Sequence, residues 1–173
     1  MIEIAPARTD DGPGILEATS RIEIFTPTEK TCVHELWDDY LTKREKSDYR
    51  FLACREYGHV VGYACYGPHS LTSSTFDLYW IAVDPGAQGR GIGRALMARV
   101  EAEVRAAGGT LLLVETSGRP DYQPTRRFYE VCGYQCQAVI HDFYVAGDDM
   151  VMFAKYLNGQ VASPEPALQA ASA

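Results

Sequence analysis

The sequence has no apolar run close to the roughly 18 residues that a membrane-spanning helix needs. Basic residues are also in deficit, because 16 Lys and Arg stand against 23 Asp and Glu and leave a formal net charge of -7. A surplus of negative charge repels phosphate backbones. These two shortages exclude a membrane-embedded protein and make nucleic acid an unfavourable partner.

Cysteine is scarce and irregularly spaced. The five cysteines stand at 32, 54, 65, 132 and 136, an odd number without a CxxC pair. This spacing fits neither a zinc cage nor a disulfide framework, so we expect no metal site. The N-terminal residues 1–5 also lack the basic and then apolar order of a secretory signal. We therefore expect a cytoplasmic protein.

The length and composition predict one domain. The 173 residues are 46% hydrophobic and 23% charged, which is typical of soluble globular proteins. Strand-like and helix-like patterns continue to about residue 157, and the Ala/Ser/Pro/Gln-rich segment after it has no apolar stripe to bury. We expect a single domain over residues 1–157 and a disordered tail over residues 158–173.

The first part of the chain alternates between strand and helix signals. A short strand at 2–4 precedes a helix that ends near residue 22. The segment Thr26–Glu29 has the spacing of a capping box with proline at the first helical position, so a second helix is predicted to begin there. Its apolar residues recur at helical spacing and predict one buried face: Val33, Leu36, Trp37, Tyr40 and Leu41.

The rest of the chain predicts a mixed sheet. Runs at 50–55, 60–66 and 76–83 read as three consecutive antiparallel strands. A glycine loop and a helix then lead to the continuous apolar run 111–114, which suits a parallel strand buried on both faces. A helix at 124–132 and strands at 134–144 and 150–157 follow. This order predicts an α+β protein.

The glycine loop over residues 86–93 is the strongest candidate for a binding site. Four glycines lie where a strand passes into a helix, and the free amides and the dipole of a helix start attract anions. Such a site suits a pyrophosphate, although an ordinary glycine-rich turn has the same composition. A Walker loop is excluded because Lys and Ser/Thr are missing, and a dinucleotide fingerprint because its third glycine is absent in both registers.

The segment Gln88–Gly93 resembles the acetyl-CoA signature (Q/R)xxGx(G/A) of the GNAT superfamily of N-acetyltransferases, and Thr125–Tyr134 resembles the family's later helix and turn, often written FYxxxGF. The resemblance implies a three-layer α/β/α fold around a central, mixed, mostly antiparallel sheet. It also implies acetyl-CoA as co-substrate. One departure from the family pattern is the segment Glu115–Gly118, where many members place an asparagine. The resemblance therefore does not predict which contacts this segment makes.

The resemblance further implies roles for individual residues. Backbone groups of Ile81, Ala82 and Val83 would pair with the pantetheine arm, and Phe128 would lie beside the cofactor. Amides of the loop would cradle the pyrophosphate, and these belong to Gln88, Gly89, Arg90, Gly91, Ile92, Gly93 and Arg94.

The chemistry of acetyl transfer needs a proton donor for the departing thiolate and a base for the amine. Tyr129 stands at the motif's tyrosine and is the expected acid, with aromatic packing as the alternative. Glu115 and Asp77 are the candidate bases, and each has the alternative of lying exposed at a strand end.

These expectations combine into a function: transfer of the acetyl group of acetyl-CoA to a primary amine on a small molecule. Two alternatives stay open, an acetyltransferase for a protein lysine or N-terminus and a noncatalytic acyl-CoA sensor. Homodimerisation through the last strand is also open.

Overall fold

The computed structural model describes residues 2–159, so residues 160–173 of the predicted tail lie outside the described part. Over residues 2–159, seven strands and four α-helices make up the fold. The strands are β1 (Ile2–Pro6), β2 (Arg50–Glu56), β3 (His59–Pro68), β4 (Thr75–Val83), β5 (Leu111–Ser117), β6 (Gln135–Val145) and β7 (Asp148–Tyr156). The helices are α1 (Gly12–Ser20), α2 (Pro27–Lys43), α3 (Ile92–Ala106) and α4 (Gln123–Val131). Within residues 2–159, none of the helices combines the length and apolar character needed to cross a membrane.

The strands form one mixed sheet in the order β1-β2-β3-β4-β5-β7-β6. Every neighbouring pair is antiparallel except β4 and β5, which are parallel and connected through α3. The α+β class, the antiparallel run β2-β3-β4 and the parallel strand β5 are therefore as predicted. β6 is an edge strand, and all of its residues are exposed except Ala138, which is half-buried.

Helix α2 begins where the capping box predicts. The Thr26 hydroxyl accepts a hydrogen bond from the Glu29 amide at 3.2 Å, and the Glu29 carboxylate accepts one from the Thr26 amide at 2.7 Å. Reciprocal bonds of this kind satisfy two amides at the open end of a helix. Val33 and Trp37 then bury the apolar face of α2 against β2.

The two faces of the sheet are covered by different helices. α1 and α2 lie on one face, where they enclose a core with Phe51 and Tyr63. α3 and α4 lie on the other, and the α3 residues Leu96, Val100 and Val104 are fully buried there. The protein is thus built in three layers, α/β/α.

The sheet opens in its middle, between the parallel strands. β4 pairs with β5 from Thr75 opposite Leu111 to Leu78 opposite Val114, and the pairing ends there. The register of β3 with β4 shifts at the same level, so that Tyr79 has no opposite residue and forms a β-bulge. A bulge bends the strand that carries it. Beyond Leu78 the two strands separate and leave a gap.

A buried ion pair fixes the N-terminal segment to the sheet. Arg55 of β2 donates two hydrogen bonds to Asp11, and both residues are only 6% exposed. Burial raises the pKa of the Asp11 carboxyl, but hydrogen bonds from Arg55 and from the Arg8 amide outweigh it and hold the pKa below its ordinary value of 3.8. The carboxylate is therefore charged at neutral pH.

Candidate active site

Two cavities adjoin at the gap between β4 and β5. The first, here called the glycine-loop cavity, has a volume of about 590 Å³ and lies between the start of α3 and α4. The second, the aromatic cavity, has a volume of about 610 Å³ and lies between β4, β5, the start of α2 and the β6–β7 connection. The residues that line both are Ile81, Ala82, Val83, Gln88 and Thr125. A molecule in one cavity can therefore reach into the other.

The glycine loop ends in an uncapped helix start. Gly91 is the residue before α3, its φ is 80°, and no side chain caps the helix. The first amides of α3 consequently have no partner within the helix and carry part of the helix dipole's positive charge. A Cβ placed on Gly91 would meet nothing within 4 Å, so the loop is open at this point. This arrangement fits a pyrophosphate.

Side chains of the loop hold its shape without filling the cavity. Arg90 forms a two-point ion pair with Glu56 and does not line the glycine-loop cavity, so only its amide is left for the predicted role. Gln88 donates to the Val83 carbonyl at 3.1 Å. The loop is fixed to the end of β4 before any ligand arrives.

Phe128 lines the glycine-loop cavity from α4. A Cβ on Gly93 would lie 3.2 Å from the Phe128 ring, which is tighter than most contacts of this kind. Glycine at 93 thus allows α3 and α4 to approach each other at the cavity wall. The sequence predicted both residues at the cofactor, and the structure brings them together.

Ile81, Ala82 and Val83 form the wall between the cavities. One edge of this segment pairs with β3, opposite Ala64, Tyr63 and Gly62. The other edge faces the gap, because pairing with β5 ends at Leu78. Backbone groups on that edge have no strand partner, and those not already bonded by Gln88 are available to the amides of a ligand.

Tyr129 presents its hydroxyl to the aromatic cavity. The residue is 5% exposed, and its ring contacts those of Phe128, Tyr134 and Phe153. Among residues 2–159, no group hydrogen-bonds to the hydroxyl, although the residue lines the cavity. Burial raises the pKa of the Tyr129 phenol above its ordinary value, so the hydroxyl keeps its proton at neutral pH. The Tyr129 hydroxyl is thus a proton donor with no acceptor within residues 2–159.

The structure separates the two candidate bases. Glu115 is exposed and lines the aromatic cavity. Asp77 lines neither cavity formed by the described residues, and its carboxylate lies 2.7 Å from His69 Nδ1. The reason is its place in the sheet: Asp77 is still opposite Leu113 in the paired part of β4, before the strands separate. This placement favours Glu115 over Asp77 as the candidate base, and a role for Asp77 stays a prediction.

Sequence reasoning missed part of the aromatic cavity. Glu29 was identified only as a helix cap, yet it lines the cavity and accepts a hydrogen bond from the Tyr122 hydroxyl at 2.8 Å. Asp148 lies between two predicted strands and was not identified as a candidate, yet it is 6% exposed and accepts a hydrogen bond from Ser117 at 2.5 Å. Tyr144 also lines this cavity. No local pattern marks Asp148, because its burial comes from β5.

The model of the acetyltransferase (GNAT) family matches residues 17–134, a segment that contains the glycine loop, Phe128 and Tyr129. The chain belongs to this family. A solved GNAT-family protein from Desulfovibrio desulfuricans is 40% identical, with a TM-score of 0.88, over 91% of this chain and 99% of that one. The predicted resemblance and fold are confirmed.

Two further proteins are similar to this chain, one over a smaller share of its length and one at lower identity. The IAA acetyltransferase of Azospirillum brasilense is 43% identical over 82 residues, which are 47% of this chain and 50% of that protein, so the match spans half of the relative's length. The yncA protein of Salmonella typhimurium, solved with its cofactor acetyl-CoA, is 18% identical with a TM-score of 0.72, over 95% of this chain and 99% of that one.

Acetyl-CoA is the co-substrate that the predicted resemblance implies, and the geometry of this GNAT-family chain fits it. When bound, it supplies an acetyl group activated as a thioester. The open amides before and in the first turn of α3 fit its pyrophosphate. The unpaired edge of β4 borders both the glycine-loop cavity and the aromatic cavity, which Tyr129 lines.

Proposed function

We propose that this protein transfers the acetyl group of acetyl-CoA to the nitrogen of a primary amine on a small molecule. The observation that carries the proposal is the Tyr129 hydroxyl, which lines the cavity next to the glycine loop and has no hydrogen-bond partner in the described part of the chain. A binding site alone has no need for a proton donor in this position.

The proposed reaction is a direct transfer. The amine nitrogen attacks the thioester carbonyl carbon, a C–N bond forms, and the C–S bond breaks. Tyr129 gives its proton to the departing sulfur. The proton lost by the amine returns the phenolate to the phenol, directly or through water. The products are an amide and free CoA.

Glu115 is the proposed base for the incoming amine. Its carboxylate lies in the aromatic cavity on β5, across the gap from β4. An amine enters as an ammonium ion at neutral pH and must lose a proton before it can attack. A carboxylate at the cavity wall attracts the ammonium and accepts that proton through water.

The size of the aromatic cavity supports a small acceptor. Its volume of about 610 Å³ falls within the range of roughly 300 to 1,000 Å³ that is typical of small-molecule sites. The alternatives are a protein lysine or N-terminus as the acceptor, and a noncatalytic sensor of acyl-CoA.

An amine panel tests the proposal. The panel contains amino acids, amino sugars, polyamines, arylalkylamines and a lysine-containing peptide, each with acetyl-CoA. Release of free thiol and the acetylated product, by mass spectrometry, are measured together. We expect thiol release that depends on a small amine. Acetylation of the peptide alone would favour the protein acceptor, and tight acetyl-CoA binding without thiol release with any amine would favour the sensor.

Two further expectations belong to this proposal. A cytoplasmic location is supported by the free cysteines of the described segment, of which Cys54 and Cys65 are buried. The last strand, β7, lies between β5 and β6, so it is not free to pair with a second copy. The edge strand β6, which exposes Val139 and Ile140, is the surface that supports a homodimer instead. Sedimentation velocity at several protein concentrations measures the oligomeric state.

A further inference from the structure

The aromatic cavity is strongly acidic for its size. Glu29, Glu115 and Asp148 come from three different elements and all line it. All three carboxylates also act on the hydroxyl of Tyr144, which lines the same cavity. Burial is the largest cause and the three negative charges add to it, and together they raise the pKa of Tyr144 to about 12. The three negative charges therefore converge on the same space.

The positive charge at this cavity is already engaged. Arg119 is the one basic residue among the described residues that line it. Its guanidinium donates two hydrogen bonds of 3.1 Å to Asp121 and lies over the Tyr122 ring, 5.1 Å from the centroid. Its remaining nitrogen is 3.9 Å from Asp148. An anionic group of a substrate would find no free cation among the described residues that line the cavity.

Another part of the cavity lining is apolar. Phe25 and Trp80 lie with their ring centroids 5.8 Å apart, and Ile22 and Ile24 extend this surface from the segment between α1 and α2. Apolar and aromatic surface of this kind favours a hydrocarbon or aromatic body. The cavity therefore offers both carboxylates and apolar surface to the same molecule.

We propose that the acceptor is an amine with an aromatic or branched apolar body and no acidic group, as in the arylalkylamines. This inference rests on the proposed function. The ammonium group lies among the carboxylates, and the body packs against Phe25 and Trp80. An amino acid has the same ammonium group but brings a carboxylate into a cavity that already holds three. Amino acids are thus the disfavoured class.

A matched pair of amines tests this inference. Phenethylamine and L-phenylalanine differ only in the carboxylate. We expect kcat/KM for phenethylamine to be at least about 100-fold higher, which corresponds to about 2.8 kcal/mol. The same order is expected for binding of the two amines to the protein in complex with CoA, measured by calorimetry.

Two variants test whether the carboxylates cause this preference. Asp148→Asn removes one charge but keeps an oxygen for the Ser117 hydroxyl. We expect it to lower the ratio of kcat/KM for phenethylamine to that for L-phenylalanine about tenfold. Asp149→Asn is the control, because Asp149 bonds His141 and is not among the residues lining the cavity. It should leave the preference unchanged. If Asp148→Asn does not fold, Glu115→Gln gives the same comparison by calorimetry.

The outcomes separate this inference from the proposed function. If phenylalanine or another acidic amine is acetylated as fast as phenethylamine, the inference is overturned while amine acetylation stands. If neither is acetylated but phenethylamine alone binds, the preference stands and the proposed function fails. If phenethylamine neither binds nor reacts, or if Asp149→Asn narrows the preference as much as Asp148→Asn, the inference is overturned.

Discussion

Replacing Tyr129 by phenylalanine removes the proposed proton donor and little else. The ring keeps its contacts with Phe128, Tyr134 and Phe153, and no hydrogen bond to another described residue is lost. A hydrogen bond contributes about 1 kcal/mol net to stability. Since none is broken here, we expect the free energy of unfolding to change by less than about 1 kcal/mol.

The size of the kinetic effect follows from the leaving group. A free thiol has a pKa of about 8.5, which is about 1.5 units above pH 7. Release of CoA as the thiolate instead of the thiol therefore costs about 2 kcal/mol at pH 7. This corresponds to about a 30-fold fall in kcat for Tyr129→Phe. The difference should shrink as the pH rises towards 8.5, because the thiolate then leaves without a donor. Burial keeps the pKa of Tyr129 higher still, so the phenol stays protonated over this range.

The assay follows free thiol from pH 6 to 9 with a verified amine, under conditions where the chemical step limits the rate. Tyr134→Phe is the control, because Tyr134 is buried in the same motif, bonds the Met97 sulfur and lines neither described cavity. It should keep the wild-type rate. A wild-type rate for Tyr129→Phe at every pH, or an equal loss in both variants, would refute the role as acid.

Three other predictions concern the cofactor, the ion pair and the tail. Gly91→Val should weaken acetyl-CoA binding at least about tenfold by losing one or more amide contacts to the pyrophosphate; calorimetry measures this, and Gly108→Val, with a similar φ of 82° but outside both cavities, should not weaken it. Asp11→Asn should lower the free energy of unfolding by about 3 kcal/mol or more at pH 7, because it leaves the buried Arg55 charge unpaired. The stabilisation by the ion pair exists above the ordinary pKa of 3.8 and is lost as the pH falls through the lower pKa of the folded state, so urea unfolding at pH 7 and pH 3 should show a smaller difference at pH 3. Truncation after Gly159 should leave the melting temperature and acetyl-CoA affinity unchanged, and a fall of several degrees would contradict the prediction of a dispensable tail.

The predictable parts of the fold are those with local causes. The capping box at Thr26 and Glu29 acts within four residues, and the structure shows both of its hydrogen bonds. The start of α3 after Gly91 has a local cause as well, because a positive φ favours glycine. Strand alternation and turn residues similarly placed β2, β3 and β4 in order.

The parts that could not be predicted depend on residues far apart in the chain. Asp148 is buried because Ser117, 31 residues earlier, donates to it from β5. Asp77 and Tyr79 share a face by alternation, but only Tyr79 lies beyond the point where β4 leaves β5. That point is set by a bulge against β3, which a single-strand pattern does not reveal.

The gap between β4 and β5 also divides the sheet mechanically. Four opposed residue pairs, from Thr75 with Leu111 to Leu78 with Val114, are the whole strand pairing between β1–β4 on one side and β5–β7 on the other. Only these four residue pairs join the two halves of the sheet, so relative motion of the halves breaks few strand-pairing hydrogen bonds. A ligand that spans the gap joins them. Amide hydrogen exchange near Val114 should therefore slow when acetyl-CoA is present, because the bound cofactor bridges β4 and β5 where the two strands no longer pair.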